Sequence, residues 1–200
     1  MNNLKNQGLA LIEVLITILV VAIGMLAYAA LQVKTVNVTQ ESYFRSQAIS
    51  VIEEATSKMR ANSEFIAGDA NNVYVSDNAS GSFDEWCNFA PPAARPTLTC
   101  TGNCADDALA TYNKESSCIK LFDSGVAEAR MGAACFDNNG GDGDNCSNGS
   151  RYKMYVAWAP TSRADVDGTD TYDDGTNACS TKINVINDSR FSCVIVDIIP

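Results

Sequence analysis

A single carboxylate, Glu13, stands inside an otherwise apolar run, LALIEVLITILVVAIGMLAYAALQV at residues 9–33, with no cation beside it in sequence. A charge in an apolar medium costs a few kcal/mol and calls for a partner. Gly8 comes immediately before the run, whereas a secretory signal carries its small-residue cleavage site after a shorter apolar stretch. A cut after Gly8 keeps the apolar segment and creates an amine on Leu9. That amine lies one helical turn from Glu13, close enough for attraction within the chain or between packed neighbours. Without the cut the segment is a plain signal anchor, and Glu13 goes unexplained.

The other residues with chemistry to offer lie beyond this run. Cys87, Cys100, Cys104, Cys118, Cys135, Cys146, Cys179 and Cys193 are even in number, which fits a disulfide framework formed after export to an oxidising compartment. Eight cysteines admit on the order of a hundred pairings. Cys135 and Cys146 flank a stretch with almost no hydrophobic content, Phe136 to Asn145, and a bond closing a loop of that length contributes roughly 3 kcal/mol. Cys100 and Cys104 offer half of a zinc site but no matching second pair. Asp165, Asp167, Asp170, Asp173 and Asp174 lie in DVDGTDTYDDG, and Asp137, Asn139, Asp142 and Asp144 lie in a glycine-rich stretch. Both offer oxygen ligands of the kind calcium takes, yet neither follows EF-hand spacing or ends in its glutamate, so calcium ligation competes with a solvated acidic turn. No cofactor or metal is therefore expected, with calcium at Asp165, Asp167 and Asp170 as the secondary hypothesis.

The sequence contains no histidine, which removes the usual general base, the commonest metal ligand and the histidine-activated nucleophiles. No carboxylate pair is placed by sequence in an apolar pocket beside an ionised partner, so no catalytic residue is assigned and an enzyme is not expected. A net charge of −10 disfavours direct contact with nucleic acid, which needs clustered Lys and Arg.

The elements that must position these groups follow from hydrophobic periodicity. Residues 9–33 as a helix extend roughly 38 Å, enough to cross an apolar layer about 30 Å thick. From Lys34 to Asn62 the pattern becomes amphipathic. Phe44, Ala48, Val51, Ile52, Ala55 and Met59 fall at spacings of three and four, with charges on other faces. Arg151 to Trp158 alternates as a strand does. Lys182 to Ile186 and Phe191 to Ile199, around the turn Asn187 to Arg190, suggest a C-terminal hairpin. Asn71 to Ser76 and Ile119 to Phe122 are further strand candidates, and Ala105 to Tyr112 is a short helix. Residues 137–150 and 161–178 have turn-forming composition.

The run Gly8-Leu9-Ala10-Leu11-Ile12-Glu13-Val14-Leu15 resembles the signal of type IV pilins and type II secretion pseudopilins. The resemblance implies cleavage after Gly8 by a prepilin peptidase, methylation of Leu9 and use of Glu13 in recruiting the subunit to a growing filament. Leu9 stands where phenylalanine is commonest, and Ala10 where a hydroxyl residue is frequent. The end of the amphipathic stretch, Met59-Arg60-Ala61-Asn62, is similar to that of PilV-like minor pilins. Pilins often close a C-terminal loop with a disulfide, which points to a bond between Cys179 and Cys193.

The expected fold is therefore α+β and type IV pilin-like, with a long N-terminal helix packed on an antiparallel sheet whose loops are stapled by disulfides. Residues 1–8 are a leader, 9–33 a transmembrane and filament-core helix, 34–62 its amphipathic continuation and 63–200 a periplasmic or extracellular head. The implied function is that of a minor pilin supporting pilus assembly, adhesion or motility. Its partners would be other major and minor pilins, the prepilin peptidase, the inner-membrane assembly platform and, before assembly, membrane lipid. The precursor would cross the bacterial inner membrane once, with N-terminus inside resting mainly on the resemblance, since only Lys5 and the chain amine precede the run and Lys34 follows it. The alternatives are a pseudopilin of a type II secretion system and a membrane-anchored, calcium-dependent binding domain.

Overall fold

A computed structural model describes residues 4–68, 73–75, 81–139, 141, 146, 148–160, 179, 183, 186 and 191–200, with only the backbone described for residues 4–10. Helix α1 runs Leu4–Ala61. The chain forms two compact units, one reaching to Gln40 and the other beginning at Glu41.

In the first unit, the apolar side chains of α1 from Leu11 onward are all exposed, from 53% at Val14 to 72% at Leu26. In the second unit, the same helix turns amphipathic and buries the face that its spacing marks. Ala48, Val51, Ile52, Ala55 and Met59 are each 2% exposed or less, and Phe44 packs beside them. Full burial of a side chain such as Ile52 contributes about 1.5–3 kcal/mol, so packing rather than propensity holds this part of the helix. Lys58 and Arg60 in the last turn complement the helix dipole. The Asn62 amide donates back to Lys58 and Met59 carbonyls, and a short helix, α2 Ser63–Gly68, follows.

Four antiparallel strands lie in the order of the chain: β1 Phe83–Asn88, β2 Arg130–Phe136, β3 Arg151–Trp158 and β4 Ser192–Ile198. Helix α3, Asp106–Asp123, connects β1 to β2. One face of the sheet packs on α1 and α3 through Met131, Ala133, Met154, Val156 and Trp158. The other carries Phe83, Ala134, Tyr155 and Ala157 against Cys179, Ile183, Ile186 and Phe191. Strand β3 is thus buried on both sides, which is why Tyr155 and Ala157 are as fully enclosed as Tyr152 and Met154. The buried hydroxyl of Tyr155 is pushed well above the ordinary tyrosine range, chiefly by desolvation.

Strand β2, RMGAACF, has small residues where two covered faces must approach closely. At Gly132 a Cβ would collide with the carbonyl oxygen of Asp84 and lie 2.8 Å from Tyr155 Cε1. Gly132→Ala is expected to destabilise the head by about 1–3 kcal/mol or more, because the obstructing atom is backbone and cannot swing away. Urea unfolding would measure this, and an unchanged midpoint would refute the close-approach account.

Several expectations are corrected. Within the proposed strand at 71–76, Val73–Val75 forms a 3-10 turn instead, with Tyr74 Oη accepting from Asn113 at 2.8 Å. Ile119 to Phe122 is helical, the last turn of α3, whose buried Ala110, Asn113, Ser117, Cys118 and Leu121 recur at helical spacing. The helix anticipated over 105–112 therefore begins after Ala105 and continues to Asp123. Strand β4 pairs with β3, and the expected hairpin partner over 182–186 is described only at Ile183 and Ile186. Most of that segment lies outside the described residues. Its Ile183 and Ile186 amides donate to the carbonyls of Cys179 and Ile183, a turn-like pattern rather than a ladder.

Candidate functional site

Gly8, Leu9 and Glu13 all lie on α1, whose backbone is helical from Leu4. The four residues from Leu9 to Glu13 correspond to a rise of about 6 Å, one turn. Glu13 is exposed, in a helix whose mean hydropathy reaches 2.7 over an 18-residue window. The neighbouring hydroxyls are satisfied within the helix: Thr17 donates to the Val14 carbonyl at 2.8 Å, and Thr35 to the Leu31 carbonyl at 2.9 Å. Such bonds let a hydroxyl enter an apolar medium at low cost. Gly24 has open space where a Cβ would stand, so this chain alone does not require glycine there.

Below the apolar run, Glu41 accepts a hydrogen bond from Trp158 Nε1 at 3.0 Å, tying the start of the second unit's helix to the end of β3. Sequence reading placed Trp158 on a strand face but had no signal for this partner, 117 residues away. Farther along, Glu54 bridges Lys58 at 2.7 Å and Lys120 of α3. The bond from Lys120, then that from Lys58, holds its carboxyl below the ordinary range.

The eight cysteines form four bonds: Cys87–Cys118, Cys100–Cys104, Cys135–Cys146 and Cys179–Cys193. Cys87–Cys118 joins β1 to α3, a tie no sequence signal indicated. Cys100 and Cys104 bond to each other, so neither is a thiolate ready for zinc. Of the acidic segments, Asp165, Asp167, Asp170, Asp173, Asp174, Asp142 and Asp144 lie outside the described residues. Asp137 Oδ1 accepts from the Asn139 amide and the Ser150 hydroxyl, both at 3.2 Å, an arrangement that ties the segment to itself. Among the described residues no group of three or more Cys, Asp or Glu is placed to hold a metal.

A cleft of about 650 Å³ lies between the Cys100–Cys104 loop and the first turns of α3. Its walls include Leu98, Asn103, Leu109 and Tyr112. Sequence reading did not anticipate it, since it depends on how residues 95–104 fold back along the helix.

Comparison with curated proteins and with solved structures gave no match. Two family models do match. Residues 3–29 fit the prokaryotic N-terminal methylation motif, and residues 30–114 fit the family described as type IV pilin Tt1218. The two stretches adjoin, covering the apolar helix, its amphipathic continuation, β1 and the first half of α3, so the chain carries an N-terminal methylation motif followed directly by a stretch similar to type IV pilins.

Proposed function

We propose that this protein is a minor pilin of a type IV pilus. The observation that carries the reading is the junction at residues 29 and 30 of a methylation motif with a type IV pilin match, on one exposed apolar helix. The motif and the helix fit an inner-membrane precursor that is later incorporated into a pilus, and such a precursor interacts with other pilins and with its peptidase. In the proposed course, the leader is cut after Gly8, Leu9 is methylated, and the head remains outside the membrane. The helix then leaves lipid for a bundle of neighbouring subunits.

Exchanging lipid for other apolar helices changes the hydrophobic free energy little, so specificity must come from polar pairing and close packing. Glu13, paired with the Leu9 amine of its own or a neighbouring chain, supplies the first. Close packing around the small residues Ala22, Gly24, Ala27 and Ala30 supplies the second. Partner machinery at the inner membrane provides the energy for extraction. A minor rather than major subunit is favoured by the Met59-Arg60-Ala61-Asn62 helix end, similar to that of PilV-like proteins, and by a head stapled with four disulfides.

The deciding measurement is the mass of the N-terminal peptide in sheared surface filaments and in membranes of the same cells. A filament-borne species beginning at methylated Leu9 is expected. Its absence from filaments, with a processed form retained in the envelope, would favour a secretion pseudopilin. An uncleaved chain confined to membranes would overturn both.

A further inference from the structure

We propose that the Cys100–Cys104 bond is a site of reversible thiol–disulfide exchange with a small dithiol, opening without loss of the head's fold. The other three bonds each place at least one cysteine in the interior, with Cys118, Cys135, Cys146 and Cys179 all 4% exposed or less. Cys100 and Cys104 are both partly exposed and form part of the wall of the 650 Å³ cleft, which gives an attacking thiolate a path to the sulfurs. Access of this kind controls exchange rates as much as thiol acidity does.

The bond also contributes least to the fold. It links residues four apart, against 31, 11 and 14 for the others, so it constrains the unfolded chain least. The segment leading into it is held to α3 by other means. Arg95 donates to both oxygens of Asp123 at 2.8 and 2.7 Å, and the Thr99 amide and hydroxyl donate to Glu115 at 2.7 and 3.0 Å. Arg95 holds the Asp123 carboxyl below its usual range, so this tie persists at neutral pH.

The step balances with the dithiol as the only co-reactant. One of its thiolates attacks either sulfur, the Cys100–Cys104 bond breaks, and the displaced cysteine leaves as a thiolate that takes a proton. The second thiolate of the reagent then attacks the mixed disulfide, releasing the other cysteine. Two electrons and two protons pass to the protein, and the reagent leaves as a cyclic disulfide.

The test is a dithiothreitol titration of the full chain in detergent, with N-ethylmaleimide trapping, peptide mapping and near-ultraviolet circular dichroism. Cys100 and Cys104 should be alkylated at dithiothreitol concentrations about tenfold below those that release any other cysteine, with the dichroism of Trp86 and Trp158 unchanged. Release of another pair at the same concentration would overturn the proposal. So would alkylation that appears only as the aromatic signal is lost. The double variant Cys100→Ser with Cys104→Ser should keep that signal, and its loss would refute opening without unfolding. None of these outcomes depends on where the protein sits in a pilus.

Discussion

Trp158→Ala is expected to destabilise the head by about 3–5 kcal/mol, the range for removing a large buried aromatic side chain. Trp158 is 1% exposed, at the end of β3 opposite Ser192, and it is the largest fully buried side chain among the described residues. Its removal leaves a cavity between the sheet and α1 and strips Glu41 Oε1 of its 3.0 Å donor. Glu41 Oε2 is already buried with no hydrogen-bond partner among the described residues, so the carboxylate would have neither water nor a donor on that side. Trp158→Phe keeps most of the volume and loses the donor, and should cost about 1–2 kcal/mol. Melting of the full chain in detergent, followed by circular dichroism, separates these. The alanine variant should fall by on the order of 10 °C, given the usual conversion for a domain of this size. A midpoint unchanged in Trp158→Ala would mean that the indole does not organise this end of the core.

Glu13→Ala is expected to reduce incorporation into filaments by about tenfold or more, equivalent to losing roughly 1.4 kcal/mol of pairing free energy. The variant should insert into membranes at least as well as the parent, since it removes a charge from an apolar span. Its head should fold unchanged, because Glu13 is exposed and the buried core begins at Ala48. The readout is the ratio of sheared-filament to membrane-bound protein, with the melting temperature as a control. Glu13→Gln tests whether charge or hydrogen bonding matters: if a charge pair with the Leu9 amine is responsible, the amide should not restore incorporation. Normal incorporation of the alanine variant would remove Glu13 from the assembly mechanism.

Residues 9–33 and 34–62 were legible without any tertiary information, because a continuous apolar run and a three-four repeat are local patterns. The structure carries both on α1, with the marked face from Ala48 to Met59 buried. Strand β3 was legible for the same reason, since Tyr152, Met154, Val156 and Trp158 alternate along it. The two family matches rest on this same N-terminal half, where linear order and function coincide.

Long-range contact decided the rest. Strand β2 escaped notice because Gly132, Ala133 and Ala134 have low strand propensity, and what selects Gly132 is the proximity of Asp84 and Tyr155 from neighbouring strands. Strand β1 carries Asp84 and Glu85, which disguise it, and a register shift at Trp86 that breaks its alternation. Ile119 to Phe122 resembled a strand because four residues, three of them apolar, are too short to show a period, and only burial of Ala110 through Leu121 along one face makes it helical. Cysteine pairing likewise depends on which chains the sheet and α3 bring together, as in Cys87–Cys118. The sequence by itself determined the anchor, the helix and its buried stripe, because their information is periodic and local; tertiary structure alone decided strand pairing, the Trp158 to Glu41 bond and the cleft beside Cys100, because each joins residues whose spacing along the chain carries no signal.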